Sequence, residues 1–539
     1  MQLNLQSIRN EAHAWRTAGV ALPQYDIDAM RDATREAPVW MHFGAGNIFR
    51  GFIASLAQRL LDADKLTTGI VACETFDGEI IERIYKPCDN LTLNVLLNPD
   101  GTVTKEVLAS IADRINVDLA DSEVRQRLTE IAAAPSLQMI SFTITEKGYQ
   151  LRRPDGSLLP VVESDWVAGP ENSRHVMSIV AALLYARFKA GRLPLAVVSM
   201  DNCSHNGEKL RQSVLATAKA WRERGFVPEE FLDYLNDGSK VAFPWSMIDK
   251  ITPRPHPQVL AALQADGIVG MEPVVTDKKT FIAPYVNAEK PQYLVIEDSF
   301  PNARPPLELA GVYLTDRETV DKTEKMKVTT CLNPLHTAMS MFGCLLGYTL
   351  IRDEMKDADI VALVKRLGYD EGLPVVVDPG IISPRRFLDE VVNERLPNVF
   401  MPDDPRRIAT DTSQKVGIRF GETVKSYVRE GRDLKTLVAL PMAIAAWFRY
   451  LLGVGDNGLP IEISADPLKD ELCAKLRGIV WNDPQTYCGQ LRTILANPSI
   501  FGSDLTATPL ADRIEKLFVE MLSGAGAVRR VLHSHLTAN

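Results

Sequence analysis

The run Val39-Trp-Met-His-Phe-Gly-Ala-Gly46 constrains what this chain can fold into more than any other stretch. It is a short apolar segment that ends in two glycines, and residues 48–61 after it (IFRGFIASLAQRLL) carry helical apolar spacing. A segment apolar on both faces, a tight turn and a covering helix make one repeat of a parallel sheet. Gly69-Ile-Val-Ala-Cys-Glu74 and residues 136–145 and 194–200 read as further strands, and residues 173–190 and 207–224 read as helices between them. Strands alternating with helices predict an α/β fold with a Rossmann-like N-terminal domain, its sheet covered on both faces.

Two proline-rich passages, Ile251-Thr-Pro-Arg-Pro-His-Pro257 and Phe300-Pro-Asn-Ala-Arg-Pro-Pro306, interrupt the alternation. Beyond about residue 295 the pattern turns helical, with helices expected over 339–348, 357–367, 434–452, 466–479 and 505–522. The expected division is therefore near residue 290, with a mainly α-helical C-terminal domain over 291–539.

Composition removes several function classes. A net charge of −9 argues against general affinity for nucleic acid or anionic membranes. The seven cysteines are scattered without a CxxC pair, which points to reduced thiols and gives no cysteine metal site. His42, His205, His256 and His336 lack zinc-ligand spacing, so no metal is expected. The polar start MQLNLQSIRNEAHAWR has no apolar signal core, and no apolar run reaches membrane length. These features lead us to expect a cytoplasmic protein, monomeric or a small homo-oligomer, acting on a small molecule.

A glycine turn between strand and helix lets backbone approach a pyrophosphate at a helix N-terminus. Gly44, Gly46 and Asn47 stand in that context, although Phe49 occupies the place of the usual third glycine. Glu74 ends the second strand, where an acid would accept from adenosine ribose hydroxyls and repel a 2′-phosphate, favouring NAD over NADP; Asp77 is a nearby alternative. Far downstream, Lys327-Val-Thr-Thr-Cys-Leu-Asn-Pro-Leu-His336 gathers a lysine, an asparagine and a histidine. A lysine near its free pKa of about 10.4 is a poor base at neutral pH, but desolvation and a cationic nicotinamide ring would lower it. Amides aimed at a developing alkoxide would complete metal-free hydride chemistry.

These segments, with four others, resemble the polyol-specific long-chain dehydrogenases, the family of mannitol 2-dehydrogenase and the hexuronate reductases. The glycine turn through Arg50 is similar to the family's GxGxFxR pattern, with the phenylalanine displaced by one. Ser141-Phe-Thr-Ile-Thr-Glu-Lys-Gly-Tyr149, Met200-Asp-Asn-Cys-Ser-His-Asn-Gly207 and Val241-Ala-Phe-Pro-Trp-Ser-Met-Ile-Asp-Lys-Ile-Thr-Pro253 resemble its LTITEKGY, CDNxxHNG and signature segments. Residues 296–306 resemble EDxFPxGRPP. Ile248, Lys250 and Ala303 replace the usual valine, arginine and glycine.

The resemblance implies a Rossmann-like NAD-binding domain (1–290), a helical catalytic domain (291–539) and an active site in the cleft. It implies that Lys327 is the general acid–base, that Asn202 and Asn333 hold the reacting oxygen, and that His336 contacts substrate beside the carbinol. It assigns Glu324 to proton relay, Asp249 to the substrate, and Gly44, Gly46, Asn47, Phe49, Arg50, Glu74 and Thr145 to the cofactor. One departure stands out: five residues, Val328 to Leu332, separate Lys327 from Asn333 where the family usually has four. Either the loop bulges or Lys325 takes the role. Pro334 also replaces the usual glycine.

Residues 404–419 resemble the family's DGSxKxPxR region, and Lys415 and Arg419 there would clamp a carboxylate. The expected activity is NAD-dependent interconversion of D-fructuronate and D-mannonate. The alternatives are a polyol 2-dehydrogenase acting on mannitol, arabinitol or sorbitol, a tagaturonate reductase, or a non-catalytic NAD-binding protein.

Overall fold

The structure is a computed structural model that describes residues 1–537. The chain divides into two compact units. Unit 1 comprises Met1–Asn98 and Thr102–Asp321; unit 2 comprises Pro99–Gly101 and the chain from Lys322 onward.

Unit 1 is built on six parallel strands: β1 (Trp40–Phe43), β2 (Ile70–Glu74), β3 (Ile111–Asn116), β4 (Met139–Phe142), β5 (Leu195–Ser199) and β6 (Val241–Ala242). Their spatial order is β3-β2-β1-β4-β5-β6. This is the doubly wound order of dinucleotide-binding sheets, whose direction of winding reverses between β1 and β4. Alternate residues feed two cores. Met41, Phe43, Ile140 and Val197 pack with Ile179, Leu184, Trp221 and Phe231 on one face. Trp40, Ala72, Met139 and Val198 pack with Phe52, Ile53, Leu56 and Leu60 on the other. The apolar runs thus lack a polar side because both faces are buried.

The division expected near residue 290 falls instead after Asp321. Ser246–Asp249 pairs antiparallel with Tyr293–Glu297, which pairs parallel with Tyr313–Thr315. One small sheet therefore spans the expected boundary. A further sheet joins Val20–Ala21, Val103–Leu108, Thr92–Leu97 and Tyr285–Glu289.

Unit 2 is helical, as expected. Its buried centre includes α1 (Asn333–Leu346), α2 (Ala439–Tyr450) and α3 (Leu510–Glu520). The helix expected over 466–479 is confined to Lys469–Lys475. Among the described residues no helix is long and apolar enough to cross a membrane.

Glu354 packs against α1, where Gly343 admits it: a methyl group at that glycine would overlap the carboxylate. Both carboxylate oxygens are buried without a hydrogen-bond partner from the protein. Burial, aided by Asp357, pushes this carboxyl well above the ordinary range. A folded-state pKa above the unfolded one gives stability that is complete below the unfolded pKa of about 4.3 and is lost as pH rises toward the folded value. One such group contributes a slope of at most about 1.4 kcal/mol per pH unit. Melting temperature should therefore fall less between pH 6 and 9 for Glu354→Gln than for the wild type. Parallel profiles would show that Glu354 is ionised in the folded protein.

Candidate active site

In unit 1 the loops after β1, β2, β4 and β5 all leave the carboxyl edge of the sheet, where such folds bind ligands. Gly44 follows β1 with φ +103°, and a side chain there would overlap the Thr143 carbonyl. Gly46 differs: its φ is not positive, and a Cβ built on it would meet no protein atom within 4 Å. Nothing in unit 1 requires glycine at that position, whereas a ligand lying against the backbone would. Asn47 Oδ1 is buried without a protein donor at the same turn. The following helix opens with one π-helical turn, Phe49–Ile53, before regular Ala54–Asp62. Its first amides have no intrahelical partner and are available to an anion. The turn therefore fits a dinucleotide.

Phe49 and Arg50 do not line this turn, contrary to expectation. Phe49 is fully buried and stacks on the His42 ring at 4.1 Å. His42 is held by Ser141 Oγ (2.6 Å) and Thr143 Oγ1 (2.8 Å), and burial drives its pKa well down, so the ring is neutral. Arg50 is also fully buried, donating to Thr92 Oγ1 (3.2 Å) and the Pro284 carbonyl (3.0 Å). Both side chains support the turn from beneath. Glu74 closes β2 and accepts from the amides of Ala45 (2.9 Å), Phe76 (2.7 Å) and Asp77 (3.1 Å), tying the glycine turn to the second strand. Asp77, the alternative, is spent on the hydroxyls of Thr276 and Thr280, both at 2.6 Å.

After β4, the amides of Ile144 and Thr145 donate to the two oxygens of Asp201 at 2.9 and 2.8 Å. Asn202, the next residue, is exposed. Asn206 joins this turn to the signature strand: its amide group donates to the Asp201 carbonyl (2.9 Å) and the Ser246 carbonyl (3.0 Å), and it accepts from the Ser246 amide (3.0 Å). That strand ends at buried Asp249. Asn202 and Asp249 thus lie on elements tied together by Asn206, a residue the sequence reading left without a role.

In unit 2, Glu324 lies in the helix Arg317–Met326, and buried Lys327 follows directly. Lys327–Cys331 forms a π-helical turn, closed by the Leu332 amide donating to the Lys327 carbonyl at 3.1 Å. The extra residue before Asn333 is taken up here, since a π turn holds one residue more than an α turn. Lys325 is exposed on the preceding helix. Asn333 opens α1, and Pro334 sits in its first turn, where a missing amide hydrogen costs nothing.

His336 lies one turn into α1. Burial first, then Arg395, Arg419 and Arg407, push its pKa down to about 4 against the opposing Asp403, so it is neutral at physiological pH. Arg419 donates to Thr337 Oγ1 (2.6 Å), which itself donates to the Asn333 carbonyl (3.0 Å). Burial lowers the Arg419 pKa to about 10. Lys415 donates to the Thr410 carbonyl, and burial followed by Arg419 lowers its pKa. The turn carrying Asn333 and His336 therefore lies near Arg395 and Arg419, with Asp403 opposing them. Arg407 lay within the motif quoted for Lys415 and Arg419 but was not singled out. Buried Arg395 had no motif to mark it.

Comparison with known proteins agrees with this layout. Residues 39–309 match the mannitol dehydrogenase Rossmann domain, and residues 319–521 match the mannitol dehydrogenase C-terminal domain. The chain is 51% identical over 99% of its length, and 98% of the relative's, to D-mannonate oxidoreductase of Thermotoga maritima. It is 29% identical, over 85% of this chain and 88% of the other, to the polyol:NADP oxidoreductase of Gluconobacter oxydans. The crystal structure of substrate-free D-sorbitol dehydrogenase superposes with TM-score 0.78 at 25% identity, covering 96% and 98% of the two chains. The Pseudomonas fluorescens mannitol 2-dehydrogenase ternary complex with NAD and D-mannitol matches with TM-score 0.70 at 25% identity over 100% of each chain. This chain belongs to the mannitol dehydrogenase family.

Proposed function

We propose that this chain is an NAD-dependent oxidoreductase that interconverts D-mannonate and D-fructuronate. The observation that carries the sugar-acid reading is the pair of largely buried arginines, Arg395 and Arg419, whose charges act on neutral His336. Arginine forks suit a carboxylate, and a neutral polyol has no charge to repay their desolvation. The 51% identity to a D-mannonate oxidoreductase supports the same substrate.

Gly44, Gly46 and Asn47, on the turn that Glu74 ties to β2, would hold NAD, which would supply the hydride acceptor. The chain's residues do the rest. Lys327 takes the proton from the substrate hydroxyl during oxidation and returns it to the oxygen during reduction. Asn333 donates amide hydrogens to that oxygen as its charge grows, and the resemblance gives Asn202 the same role. His336, being neutral, makes a hydrogen bond beside it without adding charge. Glu324, three residues before Lys327, passes the proton to solvent. Lys415 and Arg419 hold the carboxylate. The buried Glu74 carboxylate disfavours a 2′-phosphate and so selects NAD. Among the described residues the seven cysteines form no disulfide, which suits a cytoplasmic enzyme.

Arg419→Met tests the substrate assignment. Loss of a charged hydrogen-bonding partner costs about 1.5–3 kcal/mol, which is roughly 10- to 150-fold. The kcat/KM for D-mannonate should fall by that factor while the poorer rate with D-mannitol changes little. An equal fall for both substrates would remove the carboxylate from Arg419.

A further inference from the structure

We propose that Asp201 is a positioning residue: its carboxylate holds Thr145 in a strained backbone conformation and thereby locks the glycine turn and Asn202 into one rigid edge. The proposal rests on the dehydrogenase reading above, and it assigns a role to a residue that makes no contact with the reacting atoms.

Thr145 has φ +64° and ψ 161°, a region that is almost exclusive to glycine and is least tolerated by a β-branched side chain. Strain of this kind persists only where the surroundings impose it. Here the cause is visible. Successive amides of Ile144 and Thr145 point at separate oxygens of Asp201, at 2.9 and 2.8 Å, which requires the chain to turn at Thr145. The grip is braced by the Tyr149 hydroxyl, which donates to Asp201 Oδ2 at 2.6 Å and sits 2.7 Å from Ser199 Oγ. Gly148 is needed for the same fold, since a side chain there would run into Ile144. The segment then continues in both directions into the candidate site. Thr143, two residues before Thr145, holds its carbonyl against Gly44. Asn202 follows Asp201 directly, and Asn206 fixes the Asp201 carbonyl to the signature strand. Asp201 is buried, and burial raises its pKa against the three donors it accepts.

Asparagine is nearly isosteric but has one acceptor oxygen, so Asp201→Asn sets an NH2 group against one of the two backbone amides. The strain at Thr145 is then unsupported. Glycine at 145 adopts the same φ and ψ without strain and needs no clamp. The experiment measures NAD+ affinity of the full chain by fluorescence titration, together with kcat and melting temperature. Three variants are compared with the wild type: Asp201→Asn, Thr145→Gly and the double substitution. Asp201→Asn should weaken NAD+ binding at least tenfold and lower kcat. Adding Thr145→Gly should recover at least threefold in NAD+ affinity. Thr145→Gly alone should raise the melting temperature by a few degrees, a result that stands even if Asp201→Asn does not fold. The role is overturned if folded Asp201→Asn binds NAD+ like the wild type and only melts earlier, if glycine at 145 gives no recovery, or if Thr145→Gly alone lowers the melting temperature. Failure of the wild type to bind NAD+ would overturn the functional reading as well, which separates the two cases.

Discussion

Lys327→Met should abolish nearly all oxidation of D-mannonate while NAD+ still binds. A positioned acid–base contributes about 10²–10⁴-fold, so kcat should fall by that factor, with NAD+ affinity within about threefold of wild type. The expectation rests on Lys327 being buried at the start of the π-helical turn that carries the chain into Asn333 and His336. Lys325, exposed on the preceding helix, is the control: Lys325→Met should retain most turnover. The opposite pattern would mean that the extra residue had shifted the acid–base role to Lys325. Unchanged turnover in both would leave a cofactor-binding protein whose chemistry does not use this segment.

Gly44→Ala should be the most damaging single methyl group in unit 1. Two costs coincide there: a side chain at φ +103°, and overlap with the Thr143 carbonyl, which is backbone and cannot swing away. Together they should cost about 2–4 kcal/mol of stability and remove measurable NAD+ binding. Gly46→Ala separates stability from binding. Its Cβ would meet no protein atom, so stability should move by no more than about 0.5 kcal/mol. NAD+ affinity should nevertheless fall at least tenfold, because the methyl group would stand where the backbone approaches the pyrophosphate. Unaltered NAD+ affinity in Gly46→Ala would contradict the assignment of this turn to the cofactor.

Much of unit 1 was legible in the sequence because β1, β2, β4 and β5 are buried on both faces and so read as unbroken apolar runs. Strand β3, Ile-Ala-Asp-Arg-Ile-Asn, lies at the sheet edge with polar residues half exposed, and it left no such trace. The unit boundary was misplaced because the pairing of Tyr293–Glu297 with Ser246–Asp249 is non-local, and no local pattern announces it. At the site, chain spacing exposed the irregularity between Lys327 and Asn333 but could not show that a π turn absorbs it. Arg50 was expected at the cofactor because the turn resembles the GxGxFxR pattern; the structure instead buries it, with hydroxyl and carbonyl acceptors for Nε and Nη2 and none for Nη1. Glu74 ends β2, where the sequence put it, but its three backbone donors depend on how the loops after β1 and β2 meet. Asp201 and Arg395 act through partners distant in sequence, and such roles become readable only once the fold has gathered them.

The most direct test of this account is NADH formation at alkaline pH by the wild-type protein with NAD+ and, in turn, D-mannonate, D-altronate, D-mannitol, D-arabinitol and D-sorbitol. The account predicts the highest kcat/KM for D-mannonate, at least tenfold above any neutral polyol. A higher value for D-mannitol or another uncharged polyol would contradict it, removing the sugar acid as substrate and the carboxylate from Lys415 and Arg419.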